Sequence, residues 1–104
     1  MILTTTDFVA GKEIKETIGL VQGNTIQAKS IGKDVKAGFR HIAGGEIKEY
    51  TQLLAEAREI ALQRMEEKAE KMNADAVINL RFMTAAIMGG AAEILAYGTA
   101  VKLK

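Results

Sequence analysis

The chain of 104 residues has no cysteine, no proline, no tryptophan and one histidine, and its 14 basic and 13 acidic side chains leave a net charge of +1. Disulfides, thiolate metal sites and cysteine catalysis are therefore excluded, and a near-zero charge gives no reason to expect nucleic acid as partner. A hydrophobic content of 48% argues against disorder. A chain this long makes one small domain that buries about 65% of its surface on folding.

Met1–Asp7 has neither a basic stretch nor an apolar run of signal-peptide length, so export is not expected and a cytoplasmic location is. The β-branched run Ile2–Thr6 reads as a short strand. Glu13–Gln22 alternates loosely, and Gly23-Asn24 supplies turn chemistry before a further strand at Thr25–Ala28. From Ile31 to Ala43 the period becomes helical: Ile31, Val35, Phe39 and Ile42 share one face, and Lys29, Lys33, Lys36 and Arg40 share another. Gly44-Gly45 ends that helix.

Tyr50–Met72 reads as a long helix facing the core. Its apolar arc holds Tyr50, Leu53, Leu54, Ala57, Ile60, Ala61, Met65, Ala69 and Met72, and glutamates fill the opposite side. Asn73 follows where a left-handed residue is wanted. Arg64 and Lys68 fall inside the apolar arc. Either they snorkel past the sheet edge, or they mark a salt-bridged contact with another subunit.

Phe82–Val101 is long enough to span a bilayer, but Gly89-Gly90 and the lone charge of Glu93 sit within it. Strand-like alternation on both sides favours a hairpin turning at Met88–Ala91. Its first strand places Ile78, Leu80 and Phe82 on one face and Asn79, Arg81 and Met83 on the other. Its second places Leu95, Tyr97, Val101 and Leu103 opposite Ile94, Ala96, Gly98 and Ala100. That small, apolar second face permits close approach by another backbone, and self-association is inferred from it.

Motifs for chemistry are sparse. His41 is the only histidine, with Asp34, Glu46 and Glu49 as the nearest partners, and the spacing matches no regular metal motif. Met65 and Met72 lie on the apolar arc, where methionine is ordinary core filler. Ser30, the only serine, has no nucleophile context, and no phosphate or dinucleotide loop occurs. No catalytic or cofactor-binding residue emerges, and an enzyme is not expected. The stripe Lys29, Lys33, Lys36 and Arg40 is the best candidate for binding anions, although pairing with the glutamate stripe of the long helix, within one subunit or between neighbours, is the favoured account of it.

In order and spacing, five segments together resemble the YbjQ-like family of small prokaryotic proteins. They are Gly19-Leu20-Val21-Gln22-Gly23, Gly44-Gly45-Glu46 followed by Tyr50, Ala57-Arg58 with Ala61, Ala74-Asp75-Ala76-Val77, and Tyr97-Gly98-Thr99-Ala100-Val101. The one departure is Asn73, where glycine is expected. The resemblance implies an α+β subunit with a small antiparallel sheet packed by helices, similar in shape to dodecin subunits and assembling into a homopentameric ring. It also implies heavy-metal binding, a description drawn from comparison rather than from a ligand motif, so a metal ion is the one cofactor to consider. With no cysteine and one histidine the chain is a weak ligand set, unless five copies of one weak ligand meet on a ring axis. The expected function is a binding module that takes an ion or small ligand at subunit interfaces. The alternative is an anion- or RNA-binding ring using Lys29, Lys33, Lys36 and Arg40.

Overall fold

The computed structural model describes residues 1–28, 48–87 and 91–104. In chain order they form β1 (Ile2–Leu3), β2 (Ile14–Ala28), α1 (Lys48–Lys71), β3 (Ala76–Ala86) and β4 (Ala91–Leu103). The strands make one sheet in the order β1-β3-β4-β2. β3 and β4 form the expected hairpin and β2 pairs antiparallel with β4, whereas β1 runs parallel to β3, so the sheet is mixed. The fold is α+β, with α1 laid across one face of four strands. The basic helix expected at Ile31–Ala43, its glycine stop and the hairpin turn at Met88–Gly90 lie outside the described residues.

The long helix forms as its periodicity predicts, but it buries a narrower line than a broad arc. Ala57, Ala61, Met65 and Ala69 are fully buried and Leu53 nearly so. Residues four apart drift by about 40° around a helix, so this line crosses the helix surface obliquely. At Arg64 and Lys68 the buried line has moved roughly a quarter turn away, which leaves both cations exposed. They fall inside the arc only when one fixed face is assumed for the whole helix.

The helix ends in a Schellman arrangement. Asn73 has φ 61°, its N–H donates to Glu70 O at 2.9 Å, and Ala74 N–H donates to Ala69 O at 3.1 Å. Asp75 then ties the exit to the last strand. Its N–H donates to Val101 O at 2.9 Å and its Oδ2 accepts from Leu103 N at 2.8 Å.

Three expectations change. β2 runs unbroken through Gly23-Asn24. Gly23 is there for space, not for turning: a Cβ on it would lie 2.6 Å from Ala61 O and 2.8 Å from Arg64 C, inside the helix backbone. In β3 the alternation breaks at Asn79, whose φ is 53°, and the register shifts between Ile78 and Arg81. This bulge puts Leu80 with Val77 against α1, while Ile78 joins Ala76, Val9 and Val101 on the other face. Finally, β1 stops at Leu3, although Thr4 N–H still donates to Val77 O at 3.0 Å, and Leu80 N–H donates to Thr4 O at 3.0 Å.

The small face of β4 is also reassigned. Ile94, Ala96 and Ala100 are fully buried in the cluster that contains Ala57, Ala61, Met65 and Ala69. The close approach that small residues allow is made by the chain's own helix. The small face therefore gives no ground for association.

Candidate functional site

Among the described residues, the face of the sheet turned away from α1 is covered at one end. There Val9 packs on Ala76, Ile78 and Val101, with Leu103 beside them. Toward the hairpin tip the same face carries Leu20 and Ile26 from β2, Met83 from β3 and Leu95 and Tyr97 from β4. The assignment follows from register, because directly paired residues share a face: Met83 and Asn24 both pair with Leu95, and Ile26 pairs with Glu93. Leu20 is 67% exposed, and Ile26 and Met83 are each 58% exposed. Isolated exposed apolar residues are ordinary, but a contiguous set on one sheet face marks an interaction surface.

One polar pair crosses this surface. Asn24 Nδ2 donates to Glu93 Oε2 at 3.2 Å. On the sheet edge beside it, Arg64 Nη1 reaches from α1 to Asn24 O at 2.9 Å. The snorkelling reading of Arg64 therefore has a definite target, a carbonyl of an edge strand. Arg81 lies at the border with the covered end, where its Nη1 donates to Thr5 O at 2.9 Å and Leu80 O at 2.8 Å.

The sequence candidates separate clearly. Lys29, Ser30, Lys33, Asp34, Lys36, Arg40, His41 and Glu46 all lie outside the described residues. Met65 is core, fully buried, and Met72 packs against the same cluster. Met83, by contrast, lies on the open face. Glu56, Glu59, Glu67 and Glu70 are exposed along α1, and Glu66 Oε1 lies 3.9 Å from the N-terminal ammonium. A shallow depression of about 570 Å³ is bordered by Ala55, Glu56, Arg58, Glu59 and Ile60 on the outer side of α1.

Whether a metal ion fits depends on which carboxylates and imidazoles converge. Among the described residues no three of His, Cys, Asp and Glu come together. Two carboxylates are already engaged elsewhere: Asp75 with Lys102 Nζ at 3.8 Å and with Leu103 N, and Glu13 with Lys104 Nζ at 3.1 Å. The described part of a single subunit does not fit a metal centre. Among the described residues, too, no helix is long and apolar enough to cross a membrane. The open sheet face missed by sequence reading had one legible signal, the large residues Leu95 and Tyr97 opposite the small residues of β4.

The fold and this surface define a small α+β domain whose described residues leave part of one apolar sheet face exposed. The chain belongs to the YbjQ family, whose model matches residues 1–104 and is described as "Putative heavy-metal-binding". Curated relatives carry the name UPF0145 protein. The relative from Methanosarcina acetivorans is 62% identical over 99% of this chain and 97% of its own length. Those from Fervidobacterium nodosum and Thermotoga maritima are 61% and 58% identical over the whole chain, covering 96% and 98% of their own lengths. Among solved structures, a protein of unknown function of the DUF74 family from Pediococcus pentosaceus shares the fold. Its TM-score is 0.65 at 21% identity, covering 100% of this chain and 98% of that one.

Proposed function

We propose that the chain is a cytoplasmic, self-assembling binding module, a homopentameric ring rather than an enzyme, which takes its ligand between subunits. The observation that carries this is the open apolar end of the sheet, where Leu20, Ile26 and Met83 stand more than half exposed. A hydrophobic surface of this kind is stabilised by removal from water, by about 25 cal/mol per Å². A second copy of the chain is the partner always present at matching concentration.

The shape supports the same reading. The radius of gyration is 17.1 Å and the extents are 54 × 25 × 16 Å, against about 13 Å for a compact domain of this length. A flat, elongated slab is a poor monomer and a natural ring segment.

The ligand class is taken from the family's description as heavy-metal-binding. With no converging ligand set in the described part of one subunit, a cation would be held by copies of one residue meeting around the ring. Nothing in this reading calls on membrane or nucleic acid. Native mass spectrometry of protein purified without added metal tests it. Five copies of 11.2 kDa give about 56 kDa, and a reproducible metal or small-molecule adduct on that mass is the expected result. A bare assembly that also takes up no zinc or copper on titration would overturn the metal reading, and a monomer would overturn the module.

A further inference from the structure

The backbone groups along the two outer strands can be sorted by parity. Ile87 N–H donates to Ala91 O at 3.1 Å at the closed end of the hairpin. In an antiparallel pair, alternate residues direct both backbone groups to the same neighbour. Arg81, Met83, Ala85 and Ile87 therefore bond toward β4, and Phe82, Thr84 and Ala86 direct their N–H and C=O outward. On β4 the odd-numbered residues serve β3 and the even-numbered ones serve β2. Through the register Val21↔Gly98, Gly23↔Ala96 and Thr25↔Ile94, β2 then turns Leu20, Gln22, Asn24 and Ile26 outward. Two contacts agree with this sorting: Asp75 N–H takes the odd Val101 O, and Arg64 takes the outward Asn24 O.

Among the described residues, both ends of the sheet order are thus open beyond the N-terminal cover. β1 and the residues after it occupy β3 only as far as Leu80, through Thr4 and Thr6. From Arg81 to Ile87 every residue is exposed. Among the described residues, Arg64 alone bonds to the outward groups of Leu20–Ile26, and it uses one lone pair of one carbonyl. A regular, unbulged edge of this kind is a template for another strand.

We infer that the outward edge of β2 (Leu20–Ile26) in one copy pairs with the outward edge of β3 (Phe82–Ala86) in the next. This inference rests on the self-assembly proposed above and specifies its contact. The two edges are different surfaces, so their pairing is head-to-tail, the kind that closes into a ring, whereas β2 on β2 would stop at a dimer. β2 and β3 are both antiparallel to β4 and hence parallel to each other, so rotation about an axis along the strands brings them together in parallel. They also lie at one level: Asn24 and Met83 both pair with Leu95, and Ile26 and Ala85 both pair with Glu93. The pairing sets Asn24 of one copy beside Met83 of the next and Ile26 beside Ala85, so that the exposed apolar residues of the two sheet faces, Leu20, Ile26 and Met83, share one surface across the seam. The chain exposes 6892 Å², about 1,200 Å² more than the roughly 5,700 Å² of a compact monomer of this mass, surface to be shared between the two contacts each copy makes in a ring.

The native chain lacks cysteine, so introduced thiols report only on the chosen positions. Asn24→Cys or Ile26→Cys is co-expressed with Met83→Cys or Ala85→Cys, each change on a separate full-length chain, and the assembly is oxidised. The expected result is a disulfide-linked pair of chains in at least one mixed combination, approaching about half of the protein when the two variants mix at random around a ring, and none with any single variant alone. Cross-linking of Asn24→Cys or Ile26→Cys with itself would overturn the inference in favour of paired β2 edges. No cross-link in any combination, with native mass still multiple, would overturn it and leave self-assembly standing. A monomeric wild-type mass would instead overturn the assembly itself. As a second probe, Thr84→Pro removes one outward N–H; it is expected to reduce the native mass to that of one chain while circular dichroism keeps its helix and sheet signals. An unchanged mass would count against the pairing.

Discussion

Replacing Gly23 by alanine adds one methyl group at the point where α1 lies closest to the sheet. In most strands this change is neutral or stabilising, by about 0.4–1 kcal/mol, because alanine restricts the unfolded chain. Here the new Cβ would meet the helix backbone, 2.6 Å from Ala61 O. Relief to an ordinary contact of 3.4 Å needs about 0.8 Å of movement at Ala61 O and more at Met65 N, the nearest atom, so the helix must shift away from β2 by more than that. Backbone atoms cannot rotate aside as a side-chain end does. A gap of 0.5–1 Å forfeits roughly a quarter to a half of each dispersion contact, and the loss is shared along Ala57, Ala61, Met65 and Ala69. Overpacking costs about 1–3 kcal/mol, and the rigid neighbours place Gly23→Ala near the upper figure. That is a large share of the roughly 5–15 kcal/mol available to a domain of this size, and it corresponds to a fall in Tm of about 12–24 °C. Urea unfolding of both proteins at one fixed concentration measures it, since assembly makes stability concentration-dependent. A variant as stable as wild type, or more stable, would refute the close packing of α1 on β2.

Met65→Ala empties a fully buried side-chain site and is expected to cost about 2–5 kcal/mol, read from the urea midpoint. Asn73→Gly should hold or raise stability, whereas Asn73→Val should lower it by about 1–2 kcal/mol, because φ 61° is left-handed. Leu20→Lys with Ile26→Lys charges the open face, and size-exclusion chromatography with light scattering should find it as folded single chains. Arg64→Glu sets a carboxylate against Asn24 O at the outward edge of β2, and native mass spectrometry should find a reduced assembly; an unchanged mass would remove Arg64 from the contact.

The parts of this fold that local chemistry decides were readable in advance. The long helix, its left-handed end at Asn73 and the β3–β4 hairpin each follow from periodicity or from one residue's backbone preference. What escaped depends on residues distant in sequence. Gly23 looks like a turn because glycine beside asparagine usually makes one, and only the arrival of Ala61 and Met65 some forty residues later shows that space is its use. The bulge at Asn79 separates Ile78 and Leu80 onto opposite faces, and no pattern of period two can register a single inserted residue. Arg64 appeared misplaced because a fixed apolar arc ignores the drift of the contact line along a helix that crosses its sheet obliquely. The candidate surface was half legible. The chain showed that β4 has one small face and one large one, but which of them the helix covers is a matter of packing. Family membership was carried by short segments spread over the whole chain, each slight alone and informative in sequence order.

The central claim is that copies of this chain cover the open end of one another's sheets. Sedimentation velocity on the unmodified protein across a range of micromolar concentrations tests it most directly. The account predicts a single species near five times the 11.2 kDa chain mass that persists on dilution. A species sedimenting as one chain throughout that range would contradict it.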